Sequence, residues 1–87
     1  MNFKATIVND DIIYIDTNIN DLMERLYQYI IEHYGHHNVF TLDNNVLPNC
    51  RHIRETGEYY IHTQKGNVQV FIERTNESIF DEPLYEI

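Results

Sequence analysis

The stretch Asn18–Gly35, NINDLMERLYQYIIEHYG, decides the fold. Ile19, Leu22, Met23, Leu26, Ile30 and Tyr34 recur at three- and four-residue intervals, which lines them along one stripe of a 3.6-residue helix. Asn18 carries a side-chain oxygen suited to the N-cap, and Asp21 at the third helical position, with Asp16 just before, meets the positive end of the helix dipole. Gly35 can take the left-handed conformation that closes a helix. The spacing therefore predicts one helix over 19–34 whose stripe faces a core. Tyr27 and Ile31 widen the apolar arc, and a broad core face is expected there in preference to a second contact site for a partner.

The flanking segments read as sheet. Phe3, Ala5 and Ile7 alternate with Lys4, Thr6 and Val8 in the period of a half-buried strand. Asn9-Asp10-Asp11 supplies turn chemistry, and Ile12–Ile15 resumes a β-branched and aromatic run, which predicts a hairpin leading into the helix. Beyond Gly35, His37–Leu42 reads as a third strand, with Val39 and Thr41 on one face and Phe40 and Leu42 on the other. Asn44-Asn45 turns the chain. Residues 46–50 are expected to be a loop, because Pro48 cannot sit in a central ladder, while 51–57 is open between a helical turn, a loop and a strand start.

The last predicted hairpin pairs Glu58–Gln64 with Val68–Thr75 around a Lys65-Gly66 turn. That register sets Thr63 against Val68, Ile61 against Val70 and Tyr59 against Ile72 on one side. The other side then has Tyr60 against Phe71, His62 against Gln69 and Glu58 against Glu73. A like-charge pair such as the last costs about 0.2–1 kcal/mol. The fold class expected is α+β: an antiparallel sheet of about four to five short strands with the helix packed across one face.

Composition bounds the rest. A chain of 87 residues is expected to form one small acidic domain spanning 1–87, and at this size folding buries about 60–65 % of the unfolded surface. One cysteine, Cys50, excludes an intramolecular disulfide. The sequence shows neither an apolar run behind a basic start nor a stretch of transmembrane length, so a cytoplasmic location without membrane association is expected. Fourteen acidic residues oppose six basic ones, a net charge of −8, and lysine occurs only at Lys4 and Lys65 although Asn, Ile and Tyr are abundant. Such a surface repels nucleic acid and favours basic partners.

No constellation points to catalysis. His33, His36 and His37 cluster at the helix end, but His33 and His37 reach i,i+4 geometry only if the helix passes Gly35, and Tyr34 stands where a zinc-protease motif places Glu. Metal and cofactor are therefore expected to be absent, leaving these imidazoles to helix-end charge interaction or the surface. Cys50 beside Arg51 and His52 has the minimal ingredients of a thiol nucleophile, yet sequence adjacency is not a dyad, and a structural cysteine is expected. Three glycines form no phosphate cradle, and Arg51, Arg54 and Lys65 near Tyr59 and Tyr60 make a weak basic footprint. Asp10-Asp11 and Asp81-Glu82 are expected to be solvated acids of a turn and of the C-terminal stretch. That stretch, 76–87, also keeps Ile79, Phe80, Leu84, Tyr85 and Ile87, too much apolar surface for a purely disordered acidic tail, so folding back on the sheet is expected.

The expectation that remains is a non-catalytic acidic protein that binds and inhibits a basic nucleic-acid-binding protein or nuclease. Nucleic-acid mimicry, as in a phage anti-defence or anti-CRISPR protein, is one form of it. The residues expected to meet the partner are Glu58, Tyr60, Phe71, Glu73, Glu77, Asp81, Glu82 and Glu86. Two other classes share these features: an immunity protein that neutralises a toxic nuclease, and a homo-oligomeric structural protein, such as a homodimer, that buries Tyr60, Phe71 and Leu84-Tyr85 against another copy.

Overall fold

Helix α1 (Ile19–His33) forms where the spacing places it in the computed structural model, which describes residues 1–77. Asn18 caps it: its side-chain oxygen accepts from Asn20 N at 2.7 Å and Asp21 N at 3.3 Å. At the other end the Tyr34 and Gly35 N–H groups return to the Ile30 carbonyl, and Gly35 takes φ +83°. Replacing Asn18 with alanine is expected to cost about 1 kcal/mol. In a domain of this size that is a fall in melting temperature of about 4–8 °C, measurable by circular dichroism, with an unchanged melting temperature as the contrary result.

Around this helix runs one sheet of six strands, antiparallel throughout, slightly more than the four to five expected from sequence. Its strands are β1 (Asn2–Ile7), β2 (Ile12–Asp16), β3 (His37–Thr41), β4 (Val46–Leu47), β5 (Gly57–Thr63) and β6 (Gly66–Thr75), in the spatial order β2-β1-β6-β5-β3-β4. The β1–β2 hairpin turns through a 3-10 segment, Val8–Asp10, with Asp11 left-handed at φ 59°, a conformation Asp tolerates well. Here Asn9 stands in for a strand residue, its side chain donating to the Asn67 carbonyl at 3.2 Å and accepting from Gln69 N at 2.9 Å. The added strand is β4, two residues that pair with Phe40 and Val39 before Pro48. Pro48 does keep the segment out of a central ladder, but a sheet edge accepts two residues ahead of it. The open segment 51–57 resolves into the end of a 3-10 turn (Cys50–His52), a connector and the first residue of β5. Among the described residues, no helix is long and apolar enough to cross a membrane.

The register of the β5–β6 hairpin differs from expectation. Thr63 pairs with Gly66, Ile61 with Val68 and Tyr59 with Val70, so the tip is Gln64-Lys65 rather than Lys65-Gly66. Gly66 takes φ +127°, and the Thr63 hydroxyl donates to its carbonyl at 2.6 Å while accepting from Lys65 N at 3.0 Å. The displacement is two residues, which leaves every side chain on its expected face and changes only its partner. Glu58 therefore faces Phe71 rather than Glu73, Tyr60 faces Gln69 rather than Phe71, and His62 faces Asn67. Glu73 lies opposite Lys4 on β1, which removes the expected like-charge pair.

The core lies between α1 and one face of the sheet. Leu22, Met23, Leu26 and Ile30 meet Ala5, Ile7, Val39, Ile61, Val68 and Val70, with Cys50 and Ile53 closing one end. Two clamps fix the helix laterally. On one flank Arg51 donates through Nε and Nη2 to the two carboxylate oxygens of Glu24, at 2.9 and 2.8 Å, with its guanidinium 3.8 Å above the Tyr27 ring. On the other flank the Tyr29 and Tyr34 hydroxyls donate to Asp10 at 2.7 and 2.9 Å. Asp10, expected to be solvated, is thus a tie between the first turn and the helix. Its carboxylate, helped by burial, pushes the Tyr29 hydroxyl up to about 12.

Candidate functional site

With α1 on one face, alternation turns every second strand residue to the opposite, open face. Pairing registers arrange these residues in rows across the strands. One row runs Ile13, Thr6, Phe71, Glu58 from β2 to β5, and the next runs Gln69, Tyr60, Phe40, Val46 from β6 to β4. On this face Phe71 is 39 % exposed, and Ile13 and Val46, on the two edge strands, are 49 % and 55 % exposed. Phe40 meets His62 edge-on at 4.5 Å, and His62 is steadied by Asn67 at 2.7 Å.

Charge enters this face through carboxylates. Glu58 Oε2 accepts from the Tyr60 hydroxyl at 2.6 Å and also from Gln69 Nε2. That bond to an anion raises the Tyr60 pKa above the usual phenol value. Glu73 lies opposite Lys4, and the chain beyond β6 brings Glu77 to the same lysine, whose Nζ donates to it at 2.8 Å. The Lys4 bond holds the Glu77 carboxyl below the usual range. Of the residues expected from sequence to meet a partner, Glu58, Tyr60, Phe71 and Glu73 share the open face and Glu77 borders it. Asp81, Glu82 and Glu86 lie outside the described residues, as do Ile79, Phe80 and the rest of the C-terminal stretch expected to fold back.

The histidines and Cys50 take other roles. His37, expected at the surface or helix end, is only 8 % exposed. Its Nδ1 donates to the Gly35 carbonyl at 3.0 Å and its Nε2 accepts from Cys50 N at 3.3 Å, which fixes a neutral tautomer. Burial pushes its pKa down. Nothing local in the sequence signals this, since Cys50 lies thirteen residues on. The Cys50 thiol is fully buried and pushed up to about 12 by that burial, so it is no thiolate at neutral pH. Arg51, expected in a basic patch, is committed to Glu24. An open groove of about 520 Å³ runs past Tyr27, His36, Asn38 and His62, but among the described residues no three His, Cys, Asp or Glu side chains converge as metal ligands.

What the arrangement offers chemically is recognition: aromatic and apolar surface beside oriented carboxylates on rigid strands. Comparison with known protein families, with curated proteins and with solved structures finds no match to the chain.

Proposed function

We propose that this chain is a non-catalytic acidic binding protein that docks the open face of its sheet on a basic nucleic-acid-handling protein and inhibits it. The observation that carries the reading is the coincidence on one face of half-exposed Phe71 and Tyr60 with Glu58 and Glu73, in a chain of net charge −8. Aromatic anchors supply contact area at little conformational cost, and surrounding carboxylates steer a basic partner and select it. Mimicry of nucleic acid, as a phage anti-defence or anti-CRISPR protein would use, is the narrower form. It adds Glu77, which borders the face, and the acids that follow it in sequence, Asp81, Glu82 and Glu86. An immunity protein for a toxic nuclease would use the same face.

The test is capture of proteins from host lysate on the tagged chain at low and high salt, followed by affinity measurement on the protein identified. A basic nucleic-acid enzyme that salt releases is expected. Glu58→Lys with Glu73→Lys should weaken its binding at least about tenfold while leaving the circular dichroism unchanged, since disrupting one partner of a buried charge pair costs about 2–5 kcal/mol. Lysine at Asp81, Glu82 and Glu86 separately reads the contribution of the C-terminal acids. A salt-resistant complex of the chain with itself alone would overturn the reading. Exposed Ile13, Val46 and Phe71 would then be a homodimer interface.

A further inference from the structure

Glu58 is held differently from Glu24, Asp16, Glu77 and Asp10. Among the described residues, Glu24, Asp16 and Glu77 are each paired with an arginine or lysine, and Asp10 is bonded on both oxygens by tyrosines. Glu58 is oriented by two neutral donors, the Tyr60 hydroxyl and the Gln69 amide, both on Oε2. No described residue donates to Oε1, and no described base lies within ion-pair distance. Directly across the strand pair stands Phe71, 39 % exposed, at the spacing of about 4.5–5.5 Å between Cβ atoms that facing strand residues have.

Neutral donors orient a carboxylate without cancelling its charge. The rotamer freedom an exposed glutamate surrenders on pairing has here been surrendered already, so the usual penalty that makes surface ion pairs weak is reduced. The position is half-buried, which lessens screening by solvent. An oriented oxygen beside an aromatic ring suits a guanidinium better than an ammonium. The planar fork donates to the carboxylate edge while its weakly hydrated face lies on the ring, whereas a lysine head is a strongly hydrated point charge.

We infer that Glu58, walled by Phe71, is the receptor for an arginine side chain projecting from the basic partner. The inference rests on the docking face proposed above and assigns its partner chemistry: arginine in preference to lysine. The experiment is titration of the whole chain at low salt with hexa-arginine and, separately, hexa-lysine peptide, followed by NMR shifts of the Gln69 side-chain amide and the Phe71 ring. Hexa-arginine should bind about tenfold more tightly than hexa-lysine and move both signals. Glu58→Gln should erase that difference, and Glu32→Gln, on α1 away from this face, should preserve it. Equal affinity of the two peptides, or an arginine preference that survives Glu58→Gln, would overturn the arginine site while leaving an acidic docking face standing. Binding of neither peptide would overturn both.

Discussion

Leu26→Ala is expected to remove about 3–5 kcal/mol of folding stability, the upper part of the range for deleting a buried leucine. Leu26 is fully buried at the middle of the α1 stripe, between Leu22 and Met23 on one side and Ile30 on the other, over the sheet face that carries Ile61 and Val70. The cost of such a truncation depends on whether neighbours can settle into the space left. Here they are restrained: Arg51 with Glu24 pins one flank of the helix, and Asp10 with Tyr29 and Tyr34 pins the other. The cavity should therefore persist. Small domains have a total stability of about 5–15 kcal/mol, so the variant would lie near its limit. Urea denaturation at 25 °C reads the effect, and Leu26→Met, which conserves volume, should lose less than about 1.5 kcal/mol. A loss below about 1.5 kcal/mol for Leu26→Ala would show that the helix re-seats, and that the two flanking clamps do not hold it.

Leu26 was legible because helix spacing is a local signal, and the same holds for the Asn18 cap and the Gly35 stop. The hairpin shows where local signals end. Period-two alternation detects a slip of one residue and is blind to a slip of two, so it placed Glu58, Tyr60, Phe71 and Glu73 on one face yet misassigned each partner. What decides between the two registers is the turn, where Thr63 closes on Gly66 through its own hydroxyl, and a side chain serving its neighbour's backbone leaves no periodic trace. Strand β4 escaped for a different reason: two residues are too few to show alternation at all. The ties through Asp10 and His37 join positions nineteen and thirteen residues apart, and such contacts exist only once the sheet has formed.

His37 makes the most direct test of those long-range ties, because it links stability to pH. Folded, the imidazole is neutral: Nε2 must stay unprotonated to accept the Cys50 N–H, and burial lowers its pKa. Unfolded, it gains a proton near the ordinary imidazole value of about 6.5. Below that pH the unfolded chain takes up the proton first, so stability present above about pH 6.5 drains away as pH falls, at up to about 1.4 kcal/mol per pH unit, until the folded imidazole titrates as well. The comparison that isolates His37 from the other four histidines is the gap between the natural chain and His37→Gln, measured by urea denaturation from pH 8 to pH 5. At pH 8 the variant should be about 1–3 kcal/mol less stable, the cost of leaving a buried N–H or carbonyl imperfectly bonded. As pH falls that gap should narrow, since glutamine has no proton to gain and only the natural chain loses stability through this position. A gap constant across the range would mean that the imidazole titrates alike in both states, and that its bond to Cys50 does not fix the neutral form.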